Sequence, residues 1–126
     1  MEQIKLHNAK IVSLLTQLDV NGLKDALENW LPSEVVQLIS EAENEQQLTV
    51  FKALDRDLAV QTFEILETND QKNLLVILPE RLVQLILNDM SPDKRTALLE
   101  ECDSDLLNKL LKLLTLKERE VALSLL

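Results

Sequence analysis

The chain has 126 residues, 46% apolar and 28% charged, enough to bury a core as one domain and too polar for a membrane-embedded chain. Its 13 Lys and Arg against 22 Asp and Glu leave a net charge of −9, which argues against a nucleic-acid partner, because phosphate binding needs clustered cations. One cysteine, Cys102, excludes a disulfide framework and points to a reducing compartment; with one histidine, one glycine and no tyrosine, no base, nucleophile or phosphate loop marks an enzyme.

Glu2, Lys5, His7, Asn8 and Lys10 interrupt any apolar leader at the start. The longest unbroken apolar run, Leu74 to Leu78, is far short of the roughly 20 residues a bilayer requires, so this segment does not insert into a membrane. The first helix is expected over Glu2 to Gln17, with Ile11, Leu14, Leu15 and Leu18 on one face. Asp19 marks the next start, then Pro32 and Asn44. Asp55 and Asp57 offer carboxylates to the positive end of a helix bearing Leu58, Thr62, Phe63 and Leu66. Thr68 to Gln71 has the spacing of a capping box, and Pro79 marks the following start. Ser91-Pro92-Asp93 puts a hydroxyl at the N-cap and proline at the first helical position. Asp103 and Asp105 precede the stripe of Leu106, Leu107, Leu110, Leu111 and Leu114, and Thr115 to Glu118 has the capping-box spacing again.

These marks fall 11 to 13 residues apart. Each unit is too short to be stable alone and survives only by packing on its neighbours. The expected fold is therefore all-α: a solenoid of about ten short helices, stacked in pairs of about 24 residues as in HEAT and armadillo repeats, with no domain boundary within 1–126.

Charge is unevenly spread. Residues 19–70 hold twelve carboxylates against Lys24, Lys52 and Arg56, whereas residues 71–126 are nearly neutral. The acidic half is either a solvated face that keeps the domain soluble or a surface that attracts cations or a basic partner. Two opposed carboxylate surfaces repel unless an ion sits between them. Cys102, near Leu98 and Leu99, is expected to be a small buried apolar residue, His7 a surface residue, and Trp30 a packing element at a helix junction.

Leu31-Pro32-Ser33-Glu34-Val35-Val36, Ala53 to Ala59, Leu78-Pro79-Glu80-Arg81-Leu82 and Met90 to Glu101 together resemble the N-terminal cytoplasmic domain of MgtE-type magnesium transporters. The resemblance runs from about Val20 to Leu126 and is most specific in the Ser-Pro-Asp unit leading into Leu98-Leu99-Glu100-Glu101. It implies a right-handed superhelix, followed in the family by a CBS pair, a connecting helix and a membrane pore, at the cytoplasmic face of the bacterial inner membrane. It implies a regulatory domain: Mg2+ bridges carboxylates of this domain, the CBS domains and the connecting helix, and holds the pore shut. Dimerisation would run through parts outside this segment. By the same resemblance Asp93 is a metal-ligand candidate, while two family carboxylate positions are Gln61 and Ala97 here. Lys94 and Arg95 add positive charge beside Asp93, whose carboxylate also stabilises the helix dipole by about 0.3–1 kcal/mol without any metal. Mg2+ binding is therefore expected to be weak and shared with other domains. The apolar pattern at Val121 to Leu126 leads us to expect further chain; a freestanding helical-repeat adaptor for protein partners is the alternative.

Overall fold

The computed structural model describes residues 8–126. Ten helices occupy them: α1 (Ala9–Thr16), α2 (Val20–Ala26), α3 (Pro32–Glu41), α4 (Asn44–Ala53), α5 (Arg56–Ile65), α6 (Thr68–Ile77), α7 (Glu80–Asp89), α8 (Pro92–Glu100), α9 (Ser104–Leu113) and α10 (Leu116–Leu125). There is no strand among the described residues.

The period is more regular than the sequence marks. From α2 onward the helices are preceded by Asp19, Leu31, Glu43, Asp55, Glu67, Pro79, Ser91, Asp103 and Thr115, a constant twelve residues apart. In all nine, the carbonyl of that residue accepts the N–H four residues on, at 2.8–3.1 Å. Pro32, Asn44 and Thr68 are first helical residues rather than N-caps, so in the twelve-residue register these three units begin one residue earlier than the sequence marks. The Thr68 capping box is thus not formed, because the helix starts one residue earlier, on Glu67, and buries Gln71. The back-reaching half of a capping box appears instead where apolar or acidic N-caps hid it: Glu34 accepts from Leu31 N–H at 2.8 Å, and Gln46 from Glu43 N–H at 3.0 Å.

Counted from the N-cap as position one, the buried positions are five, eight, nine and twelve, a helical i, i+3, i+4, i+7 face. Val83, Ile86, Leu87 and Met90 fill them around α7; Val35, Leu38 and Ile39 fill three around α3. The twelfth residue ends most of the helices, though α2 ends at Leu27 and α8 at Glu101. Ala42, Leu54, Leu78, Met90 and Leu114 adopt extended backbone there, with ψ of 145–151°, and turn the chain into the next N-cap. A helix closed this way needs no glycine. Gly22 accordingly lies in no turn: it is the third residue of α2, donates its N–H to Asp19 Oδ1 at 2.9 Å, and has no room for a Cβ, which would lie 2.7 Å from Asp19 Oδ2. Leu18 is the exception among connections. It takes φ 54°, the left-handed cap usually given to glycine, with Asp19 N–H bonded to Leu14 O and Leu18 N–H to Leu15 O.

The chain forms two compact units, residues 1–65 and 66–126. In the first, α1 packs on α2 and α4, α2 on α4, and α3 on α4 and α5. In the second, α7 packs on α9, α8 on α10, and α9 on α10. Packing of every second helix is the stacking of helix pairs expected from the spacing. Two sequence expectations change. The helix foreseen over Glu2 to Gln17 begins at Ala9, since Asn8 is its non-helical cap; the rest of that expectation, with His7, lies outside the described residues. Cys102 lies beyond the end of α8 and is half-buried rather than buried.

Candidate functional site

Asp93 stands in the first turn of α8, behind Ser91 at the N-cap and Pro92, whose fixed φ suits the first helical position. Its carboxylate is exposed at the positive end of the helix dipole, with exposed Lys94 next to it. Ala97, one turn on, and Gln61 on α5 are exposed and supply no second carboxylate. Among the described residues no three His, Cys, Asp or Glu side chains gather to hold a metal ion. The other paired acids are committed elsewhere. Asp55 Oδ1 accepts Leu58 N–H at 2.8 Å and Asp103 Oδ1 accepts Leu106 N–H at 2.9 Å, both as helix caps.

Arg95 is not the surface cation beside Asp93 that the sequence implied. Its side chain is 0% exposed. Nη1 donates to Leu87 O at the end of α7 at 3.1 Å, and Nη2 pairs with Glu118 Oε1 in the first turn of α10 at 3.0 Å. Nη2 also reaches Glu118 O at 3.5 Å. The guanidinium charge is therefore matched by Glu118. The signal for this burial is the twelve-residue register. Arg95 occupies position five, where Leu23, Val35, Ala59, Val83 and Leu107 stand in other units. In alternate units that position is polar (Gln47, Gln71, Arg95 and Arg119, spaced by 24), and Gln47, Arg95 and Arg119 tie down the preceding helix end. Gln47 donates to Ile39 O and Ala42 O, and Arg119 to Leu111 O and Leu114 O. Asn88 and Lys72 hold helix ends that come later in the chain, through Leu113 O and Glu101 O. These donors satisfy carbonyls that glycine caps satisfy elsewhere.

The acidity of residues 19–70 is on the surface: Asp25, Glu28, Glu34, Glu41, Glu43, Glu45, Asp55 and Asp57 are all exposed. Between α2, the end of α4 and the start of α5 lies a cleft of about 220 Å3, floored by Leu27, Ala53, Leu54 and Leu58 and rimmed by Lys24, Asp25, Glu28 and Asp55. Trp30 is half-buried in the connection from α2 to α3, where a junction role places it. Burial pushes the Cys102 thiol above its ordinary pKa of 9.0, against the pull of Lys72 and with help from Asp103 and Glu101; its S–H donates to Leu98 O at 3.4 Å. A thiol held protonated is a poor nucleophile. No described helix is long and apolar enough to cross a membrane.

Residues 30–126 match the family profile described as the MgtE intracellular N domain. Among curated proteins none matches. The fold is similar to that of the cytosolic domain of the Mg2+ channel MgtE, solved by crystallography in complex with ATP, with a TM-score of 0.80, 24% identity and 87% of this chain covered. The chain spans 46% of that protein's solved length.

Proposed function

The chain belongs to the MgtE intracellular N domain family, and from that membership we propose that it is the cytoplasmic regulatory domain of a magnesium transporter, responding to Mg2+ through carboxylates it shares with neighbouring domains. The match over residues 30–126 carries the proposal, and the exposed acidic surface of residues 19–70 supports it. At low Mg2+ such a surface repels other acidic surfaces; at high Mg2+ hydrated ions between them turn repulsion into attraction. An ion that binds the docked arrangement better than the free one shifts the population towards the docked arrangement. CBS domains and a connecting helix of the same transporter are the partners in this scheme. Asp93 supplies one ligand from this chain, exposed and with no other described acid completing a site around it. Such a partial site suits a weak, millimolar response, because no single domain holds the ion alone.

The test is Mg2+ flux into vesicles carrying the transporter that contains this chain, measured as internal Mg2+ is raised. The expected result is inhibition whose midpoint moves to higher Mg2+ in Asp93→Asn. Identical inhibition curves for parent and variant would remove Asp93 from the site; flux indifferent to internal Mg2+ would remove the regulatory role. A freestanding adaptor is the second reading, and it draws on the exposed Leu116, Leu123 and Leu125 of α10.

A further inference from the structure

We propose that Arg95 and Glu118 are positioning residues for Asp93: their buried pair locks the first turn of α8 to the first turn of α10 and to the end of α7, and so transmits an ion's pull on Asp93 into the helix stack of residues 66–126. This rests on Asp93 being an ion ligand, as proposed above. Arg95 follows Asp93 by two residues in the same helical turn, so the backbone that carries the exposed carboxylate also carries the buried guanidinium. One guanidinium holds three helix ends through Leu87 O, Glu118 Oε1 and the α8 backbone itself. Tying down a helix end does not by itself call for a charge, since Gln47 does so as a neutral amide. Position five is apolar in five other units, and Arg95 Nε is buried without a hydrogen-bond partner among the described residues, a cost that an apolar side chain would avoid. What the pair adds over an apolar residue is direction: its bonds hold at one geometry, whereas apolar contacts tolerate sliding. Coupling between sites travels through such bonded contacts joining rigid elements.

The experiment uses the same vesicles and internal Mg2+ series, with the midpoint of inhibition recorded beside maximal flux and the melting temperature of each purified variant. Glu118→Gln keeps the shape and removes the charge. Arg95→Met combined with Glu118→Leu replaces the pair by apolar bulk, which for buried pairs leaves stability near the parent's. The expected result is a midpoint raised by roughly 2- to 30-fold in either variant, the range over which residues in such networks alter coupling. A merely structural role would lower melting temperature and flux without moving the midpoint. A midpoint within twofold of the parent's in the double variant overturns the proposal, whether or not Glu118→Gln folds. A shifted Asp93→Asn midpoint with an unshifted double variant sinks the positioning role alone; an unshifted Asp93→Asn sinks both.

Discussion

Thr62 offers a direct test of the packing described for α5. It occupies position eight of its unit, where Leu38, Val50, Leu74, Ile86, Leu98 and Leu110 stand in others, and it is 0% exposed. Its hydroxyl has no hydrogen-bond partner among the described residues. Thr62→Val exchanges that hydroxyl for a methyl of the same shape, and the two residues have nearly equal helix propensity, so only burial terms remain. Relief of a buried, unpaired hydroxyl is worth about 1–3 kcal/mol. For a chain of this size that raises Tm by roughly 3–10 °C. Thr49 is the control: it is also buried, but its hydroxyl donates to Glu45 O at 2.9 Å, so Thr49→Val forfeits a bond and gives no such rise. The assay is thermal unfolding of the 126-residue chain followed by circular dichroism. A Thr62→Val chain that melts at or below the parent temperature would refute the reasoning, because the hydroxyl would then have a partner in the core.

At Leu18 the left-handed backbone inverts the usual order of alanine and glycine: Leu18→Gly should be more stable than Leu18→Ala by about 1 kcal/mol, and equal or reversed melting temperatures would contradict the cap geometry. Gly22→Ala, which propensity alone would favour, should destabilise by about 1 kcal/mol, since the new Cβ displaces the Asp19 cap; a higher Tm would show that Leu14 and Asp19 give way freely. The raised Cys102 pKa favours the protonated thiol in the folded state. Its contribution to stability is therefore complete below the unfolded value of 9.0 and lost as pH rises through the folded value. Alkylation near pH 9 should accordingly be slower in the folded chain than in the denatured one, and equal rates would refute it. Millimolar MgCl2 should raise the Tm of the isolated chain by less than about 3 °C, and Ala97→Asp should enlarge the shift; a rise above about 8 °C in the parent chain would mean a complete site within these residues.

Much of the fold was legible because helix starts carry local chemistry. Asp19, Asp103 and Thr115 are legible from residue type alone, since their side chains answer free N–H groups of the first turn, and Ser91 from the proline that follows it at the first helical position. The N-caps Leu31, Glu43 and Glu67 were missed by one residue, because there the cap comes from the carbonyl, or from Glu34 or Gln46 reaching back, and the N-cap side chain says little. Asp93 was legible as an exposed first-turn acid. Arg95 was not: a charged residue next to an acidic turn looks like surface, and only the constant register reveals that its position faces inward. Glu118 was legible as part of a cap with Thr115, whose hydroxyl does accept its N–H at 3.2 Å, but not as the counter-ion of a residue 23 places earlier.

From α2 onward the unvarying distance from one helix start to the next leaves the chain no slack. A single inserted or deleted residue within a helix would rotate every later side chain of that helix by about 100° and carry leucines into water. Growth or shrinkage that keeps the inward face intact comes only in steps of twelve, and steps that keep the alternating apolar and polar fifth positions in phase come in twenty-fours. Members of this architecture should accordingly differ in length by whole turns of the scaffold, and a variant lacking residues 67–90 should fold where one lacking residues 67–84 should not.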